Sequence, residues 1–209
     1  MSKKILQKKE KETFMNLIWE IAMKSKAAIS LLSFMIISFV GASAIHSKET
    51  LKSHEILKVG NPLPNAILSQ NLKGNIRLNE IKGKIKIISV VPQLNTPVCD
   101  EQTHRFSEEN GGLDQHVQLI TISTNSAMDQ ARFATKAGIS NMTFLSDRPQ
   151  FDFGERTGLL NRDFGFLRRT VIIADENNVI RYVDFVPGGG MPQIKKALRA
   201  AKNILEENS

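Results

Sequence analysis

The residue with the clearest chemical potential is Cys99, the only cysteine among the 209 residues of the chain. An apolar, β-branched run ends at Val91, and a polar, helix-compatible stretch begins at Pro97. This order predicts a strand, a tight loop and a helix, with the thiol in the first helical turn. Because the unpaired N–H groups and the positive dipole end of a helix favour thiolate over thiol, the position favours a nucleophilic sulfur.

Two residues of the loop before Cys99 have side chains suited to the same chemistry. Thr96 lies three residues earlier, so its hydroxyl can reach the sulfur across one helical turn. Pro92 has a fixed φ and can shield the sulfur from bulk water. Together they predict a cysteine that attacks a small molecule.

The simpler alternative is a buried cysteine that packs as a small hydrophobic residue and has no chemical role. Two observations weigh against it. Proline, threonine and acidic residues surround Cys99 rather than an apolar run, and it follows a strand predicted to be fully buried, where α/β folds place their sites. Cys-x-x-Cys chemistry is excluded, because Gln102 occupies the position of the second cysteine.

The pattern Pro92-x-x-x-Thr96-x-x-Cys99 resembles the active-site motif of peroxiredoxins, and the run TPVCDEQTHRF resembles their thiol peroxidase branch. The resemblance extends from about Val59 to Leu205. It implies that Cys99 is the peroxidatic nucleophile and reduces hydrogen peroxide or organic hydroperoxides through a sulfenic acid. It also implies catalytic roles for Thr96 and Pro92, and a homodimer that uses neither a cofactor nor a metal ion.

The resemblance further implies a role for Arg169, which opens a strand in the run FLRRTVIIADEN. In the family, an arginine at this strand start points at the sulfur and stabilises negative charge on the thiolate and the leaving oxygen. The adjacent Arg168 is the competing candidate, but neighbouring residues of a strand face opposite sides of the sheet, so both cannot serve. An ordinary surface arginine is the alternative interpretation.

The chain departs from the family pattern where thiol peroxidases carry a resolving cysteine, in a pattern like R-F-C. This chain has Arg132-Phe133-Ala134 there, so no internal disulfide can form. The expectation is a one-cysteine mechanism, in which an external thiol or a thioredoxin-like protein reduces the sulfenic acid. The alternative is a redox-sensing or catalytically inactive thioredoxin-fold binding domain. A second departure is the run VPGGGMPQ, where the family usually has a longer acidic loop. The resemblance therefore does not carry over a partner or dimer surface at this loop.

Charge and composition weigh against other classes of protein. The formal charge is +7, but residues 1–44 hold seven lysines and three acids, whereas residues 45–209 hold 21 basic and 18 acidic residues. The folded part is therefore only mildly basic, and no basic run interleaves with aromatic residues, which argues against nucleic-acid binding. The histidines have no metal-ligand spacing, and all are expected to be solvated; they are His46, His54, His104 and His116.

Residues 1–44 are predicted to be a targeting segment. A lysine-rich flank precedes Ala27–Gly41, which is apolar and uncharged, and Ala42-Ser43-Ala44 follows as a small-x-small cleavage pattern. These fifteen residues are typical of a signal-peptide core, and a true start at Met23 would give it ordinary proportions. An uncleaved membrane anchor is the alternative. In either case the rest of the chain is exported, to the periplasm or outside the cell.

The remaining chain is predicted to form a flexible linker over residues 45–58 and one domain over residues 59–209. Strands alternate with helices, and the chain ends in a hairpin and a helix, which predicts an α/β fold. Such an arrangement is thioredoxin-like: a central mixed β-sheet flanked by helices, with an N-terminal β-hairpin. The predicted strands are Ala66–Ser69, Ile76–Leu78, Ile85–Val91, Val117–Ser123, Met142–Leu145, Arg169–Ala174 and Val179–Phe185. The predicted helices are Pro97–Asn110, Ser126–Ala137, Phe151–Thr157 and Pro192–Glu207, with a loop over Asn161–Arg168 and a flexible break at Gly188–Gly190. For the second of these helices, Ser126 is the predicted N-cap and Gly138 lies just past the predicted end.

Overall fold

The computed structural model describes residues 52–71 and 73–207. They belong to the second of two compact units, Glu49–Ser209. The targeting segment predicted over residues 1–44 lies outside the described residues, as does His46. Within the described part, no helix combines the length and the apolar character that crossing a membrane requires.

A seven-stranded mixed sheet forms the centre of the described unit. The strands are β1 (Ile67–Gln70), β2 (Gly74–Arg77), β3 (Lys86–Val90), β4 (Gln118–Ser123), β5 (Met142–Ser146), β6 (Leu160–Asn161), β7 (Phe166–Leu167), β8 (Thr170–Ala174) and β9 (Ile180–Phe185). Their order in the sheet is β2-β1-β5-β4-β3-β8-β9; β3, β4 and β5 are parallel, and the flanking strands are antiparallel. The helices are α1 (Pro97–Glu108), α2 (Ala127–Ala137), α3 (Asp152–Thr157) and α4 (Ile194–Glu207), with 3-10 turns at Leu78–Glu80, Leu113–Gln115 and Pro187–Gly189. The predicted central mixed sheet is confirmed.

Alternation along β3, β4 and β8 divides the core between the two faces of the sheet. On one face, Ile87, Leu119 and Val171 pack against Phe106 of α1 and the apolar side of α4. On the other face, Ile88, Ile120 and Ile172 pack against Phe153 of α3 and against apolar residues between Leu57 and Ala66, which precede β1. Every residue of β3 and β8 is buried, as is every residue of β4 after Gln118, which is expected for strands covered on both faces.

Helix α2 begins and ends at capping residues that can be recognised in the sequence. Ser126 is the N-cap, and its hydroxyl oxygen accepts a hydrogen bond from the backbone N–H of Asp129 at 3.1 Å. Gly138 ends the helix in the left-handed conformation, with φ of 68°. Both caps agree with the prediction, and they fix where the chain turns back into β5.

Several predictions of the sequence differ from the structure. The interval predicted as a loop over Asn161–Arg168 contains the short β6–β7 hairpin, because strands of two residues show no periodicity. The break predicted at Gly188–Gly190 lies partly within a 3-10 turn. Residues 52–56 are helical and Leu57 is buried in the core, so this part differs from the flexible linker predicted for residues 45–58.

A buried carboxylate at the end of β5 orients α3. Asp147 is 2% exposed, and its two oxygens accept hydrogen bonds from the backbone N–H groups of Phe153 at 2.8 Å and Gly154 at 2.9 Å. Gly154 must lack a side chain, because a Cβ there would lie 2.6 Å from Cδ2 of Leu167. Burial raises the pKa of Asp147 to about 7, since desolvation outweighs the two backbone hydrogen bonds, which lower it.

The raised pKa of Asp147 predicts that the free energy of unfolding falls as pH rises. The folded pKa lies above the unfolded value of about 3.9, so the folded state holds the proton more tightly. Its contribution is complete below pH of about 4 and is lost as pH rises through about 7. Urea unfolding between pH 4.5 and 7.5 should show a decline on the order of 2–4 kcal/mol. Asp147→Asn should flatten that decline, whereas the exposed Asp163→Asn should retain it; equal slopes in the two variants would contradict the assignment.

Candidate active site

Cys99 is the third residue of α1, and β3 leads directly to it. Thr96 is the N-cap with extended dihedral angles of −103° and 145°, and Pro97 begins the helix. The first helical hydrogen bond runs from the N–H of Asp100 to the carbonyl of Thr96 at 2.9 Å. The predicted order of strand, loop and helix, with the thiol in the first turn, is therefore confirmed, and the sulfur lies where the helix presents unpaired N–H groups.

The sulfur is enclosed by apolar side chains. Cys99 is 0% exposed and forms a buried cluster with Val91 and Leu94. Phe133 of α2 and Phe144 of β5 pack against this cluster, with their rings 6.0 Å apart and edge to face. We call Val91, Leu94, Phe133 and Phe144 the apolar wall. It removes bulk water from the thiol, which strengthens every electrostatic interaction made there.

Arg169 brings a positive charge to this enclosed sulfur. Its Nη2 lies 3.2 Å from Sγ of Cys99, and the residue is only 5% exposed. Arg169 precedes β8, which pairs with β3, and shares the face of Val171 and Ile173. Arg168 lies on the other face, where its Nη1 donates to the carbonyl of Gly158 at 2.9 Å. The two arginines thus separate as strand alternation predicts.

Gln102 completes the surroundings of the arginine. Its side-chain oxygen accepts a hydrogen bond from Nη1 of Arg169, and its Nε2 donates to Oγ of Ser89 on β3 at 2.7 Å. All three residues are buried. From the sequence, Gln102 served only to exclude a second cysteine. The missed signal is the spacing: residues three apart on a helix share a face, so Gln102 had to lie beside Cys99.

The buried charge of Arg169 has no carboxylate partner among the described hydrogen bonds and ion pairs. Its Nε–H also lacks a hydrogen-bond partner there. The acids next in sequence to Cys99 face outward: Asp100 lies 3.6 Å from His104, and Glu101 is exposed. Because a buried charge is costly unless it is paired, this guanidinium is available to stabilise negative charge that develops at the Cys99 sulfur.

The Thr96 hydroxyl is placed differently from the expectation, whereas the role expected of Pro92 is untested. The Thr96 hydroxyl donates to the carbonyl of Gln93 at 3.1 Å, so the predicted hydrogen bond to the sulfur is not found among the described residues. Thr96 is exposed, and as an N-cap it makes no side-chain hydrogen bond to the helix. Pro92 is partly exposed, and its carbonyl accepts from Thr124 at 3.1 Å. The packing recorded around the sulfur comes from the apolar wall, so the shielding role of Pro92 stays a prediction.

Two of the three described histidines are solvated as expected. His54 and His116 are exposed, and His104 is partly exposed. The His54 ring stacks on Phe185 at a centroid distance of 4.0 Å, and the His104 ring lies within 2.8 Å of Glu108. Both contacts lie on the outside of the fold, and among the described histidines none is recorded in contact with Cys99.

Replacing Gln102 by methionine is expected to slow oxidation of Cys99 by hydrogen peroxide about tenfold. Methionine conserves the volume but removes the acceptor of Arg169, and a buried donor left unsatisfied costs about 1–3 kcal/mol. Stopped-flow measurement of thiol loss checks the rate. Thr103→Val is the matched control, because it removes one buried hydrogen bond of the same helix, to the carbonyl of Cys99. Equal losses in both variants would show that Gln102 acts only through helix stability.

Cys99 lies in the first turn of a helix, is enclosed by apolar residues and contacts an arginine that directly precedes the adjacent antiparallel strand. These features define the class of protein: a thioredoxin-like fold whose active site is a cysteine thiol. A model of the AhpC/TSA family matches residues 59–183. The chain belongs to this family.

The relatives place the chain within the thiol peroxidase branch. A thiol peroxidase of Halalkalibacterium halodurans is 36% identical over 75% of this chain and 93% of its own length. One of Oceanobacillus iheyensis is 39% identical over 62% of this chain and 78% of its own length. Among solved structures, a peroxiredoxin-like protein from Aquifex aeolicus matches with a TM-score of 0.62 and 28% identity, over 70% of this chain and 87% of that one. The predicted family and fold are confirmed.

Proposed function

We propose that this protein is a thiol peroxidase in which Cys99 reduces a hydroperoxide and an external thiol restores it. The observation that carries the proposal is the 3.2 Å contact between Nη2 of Arg169 and Sγ of Cys99 inside an enclosed site. Such a contact places a positive charge beside the sulfur, where negative charge develops during reaction.

In the first half-reaction, the Cys99 thiolate attacks one oxygen of the peroxide. An S–O bond forms, the O–O bond breaks, and the other oxygen leaves with the electron pair. The sulfur is oxidised to sulfenic acid, and the leaving oxygen takes a proton to become an alcohol or water. The Nε–H of Arg169 has no hydrogen-bond partner among the described residues, so it is a donor available to a peroxide oxygen without loss of a hydrogen bond made there.

In the second half-reaction, an external thiol attacks the sulfur of the sulfenic acid. A mixed disulfide forms and water leaves; a second thiol then displaces Cys99 as the thiolate, and the reductant leaves as a disulfide. Cys99 is the only cysteine, so no residue of the same chain can take the place of that thiol. This one-cysteine sequence of steps predicts that turnover depends wholly on an added reductant, which a thiol such as dithiothreitol or a thioredoxin-like protein would supply.

Turnover distinguishes an enzyme from a redox sensor. Residues 45–209 should consume peroxide continuously when dithiothreitol or thioredoxin with its reductase is present, and should stop after one equivalent when no thiol is added. A single oxidation that none of the thiols reverses would favour the sensor and would overturn the proposal. An inactive binding domain would consume no peroxide at all.

Export and dimerisation belong to the same proposal. The apolar segment Ala27–Gly41 and the pattern Ala42-Ser43-Ala44 support a cleaved signal peptide and a periplasmic or secreted enzyme. Sequencing the N-terminus of the mature protein should then find Ile45 first; an intact N-terminus on a membrane-bound protein would support the anchor instead.

The homodimer rests on the family resemblance, and light scattering of residues 45–209 should give twice the mass of one chain. A monomeric mass would contradict it.

A further inference from the structure

Two uncharged side chains, rather than a carboxylate, hold Arg169 beside Cys99. The side-chain oxygen of Gln102 accepts a hydrogen bond from Nη1 of Arg169, and Nε2 of Gln102 donates to Oγ of Ser89 at 2.7 Å. Gln102 and Ser89 are both fully buried. We call Ser89 and Gln102 the neutral support.

The neutral support is anchored in the central sheet. Ser89 belongs to β3, which pairs with β4 on one side and β8 on the other, and it lies opposite Val171, two residues after Arg169. The guanidinium of Arg169 offers only donors, so the amide of Gln102 turns its oxygen to the arginine and its NH2 group to Ser89. The orientation of the Gln102 side chain is therefore set at both ends.

The absence of charge on this support has an electrostatic consequence. A glutamate at position 102 would have the same shape and could make both hydrogen bonds, since a serine hydroxyl donates as well as accepts. It would also bind the guanidinium more strongly, because its acceptor is ionised. Its negative charge, however, would offset the positive charge that lies 3.2 Å from the sulfur, in an enclosed site where charges are poorly screened. The amide makes the weaker bond and leaves the charge of Arg169 undivided.

We infer that Gln102, held by Ser89, is a positioning residue whose lack of charge keeps the full positive charge of Arg169 for the Cys99 sulfur and the reacting peroxide. The inference rests on the proposed function where it concerns peroxide. Its claim about charge at the sulfur can be tested without peroxide. Position and charge are separable, because one substitution changes the charge alone and another removes only a hydrogen bond.

Gln102→Glu tests the charge. Reduced Cys99 is alkylated with iodoacetate, an anion, and with iodoacetamide, its neutral analogue of nearly the same size. The ratio of the first rate to the second reports the charge at the sulfur, because access to the sulfur affects both reagents alike. In Gln102→Glu this ratio should fall about tenfold, and stopped-flow oxidation by hydrogen peroxide should slow about tenfold. Gln93→Glu makes the same change at an exposed residue of the loop before Cys99, where water screens the charge, so both quantities should stay within about twofold of the parent.

Ser89→Ala tests position. It leaves Nε2 of Gln102 without its acceptor, so oxidation by peroxide should slow about fivefold, whereas the alkylation ratio should stay within about twofold of the parent. An unchanged ratio in folded Gln102→Glu would overturn the inference, as would equal falls in the ratio in Gln102→Glu and Ser89→Ala.

The parent protein decides the matter if Gln102→Glu does not fold. Its alkylation ratio should exceed that of N-acetylcysteine amide, a neutral free thiol, by several-fold, and an equal ratio would overturn the inference. Failure of the parent to consume peroxide would reject the proposed function alone, because the alkylation ratios measure the charge at Cys99 without any peroxidase activity.

Discussion

Replacing Arg169 by methionine is expected to lower the rate constant for oxidation of Cys99 by hydrogen peroxide by two to three orders of magnitude. Removing one preorganised donor from a site where negative charge develops costs about 10²–10³ in rate. Arg169 is such a donor, with Nη2 at 3.2 Å from the sulfur and Nε–H unpartnered among the described residues. Methionine fills much of the same space without charge or donors. Loss of the Cys99 thiol after rapid mixing with peroxide measures the rate constant.

The neighbouring arginine provides the matched control. Arg168→Met removes the same charge from the adjacent position, on the face of β8 turned away from the sulfur, where Arg168 bonds Gly158. We expect less than a threefold change in the same rate constant, because a partly exposed charge on that side of the sheet is largely screened. Equal losses in the two variants would mean that Arg169 acts through general electrostatics or stability rather than through its contact with Cys99.

Excess hydrogen peroxide without a thiol is expected to inactivate the protein irreversibly. After one equivalent, intact mass should rise by one oxygen; a large excess should add two or three, with loss of more than about nine-tenths of the thiol-dependent activity. The physical reason is that Cys99 is the only cysteine and is 0% exposed. Its sulfenic acid has no partner within the chain. Two Cys99 residues could join only if their Cα atoms came within about 7 Å.

An introduced thiol provides the matched variant for this prediction. Ala134→Cys restores the cysteine that the family resemblance led us to expect, next to Phe133, which packs on the Cys99 cluster. In that variant the sulfenic acid should condense to an internal disulfide, with mass two hydrogens below the reduced form, and resist further oxidation. A covalent Cys99–Cys99 dimer as the main product in the parent, seen on a non-reducing gel, would contradict this account of the enclosed sulfur.

The parts of the fold that followed from the sequence are those with long, regular signals. The apolar runs at β3, β4 and β8 predicted three buried strands, and Ser126 with Gly138 marked both ends of α2. Alternation along the predicted strand Arg169–Ala174 indicated that Arg169 and Arg168 face opposite sides of the sheet. These features depend on local periodicity and capping, which a single chain carries in its residue order.

The features that sequence did not predict depend on contacts between distant segments. The hydroxyl of Thr96 donates to the carbonyl of Gln93, because the conformation of the loop brings that carbonyl within reach. Asn125 reaches Leu94 across 31 residues, and Gln102 meets Arg169 across 67. Partners so far apart are brought together only by the completed sheet, and no spacing rule along the chain identifies them.

The most direct test of the central claim is a titration of the reduced protein with hydrogen peroxide, counting thiol and peroxide together. We predict that one equivalent of peroxide is consumed for each Cys99 thiol lost, and that dimedone then labels a single residue, Cys99, as the sulfenic acid. Cys99→Ser should consume no peroxide and take up no label. Peroxide consumption that persists in Cys99→Ser, or a Cys99 thiol that survives stoichiometric peroxide, would contradict the assignment of Cys99 as the nucleophile.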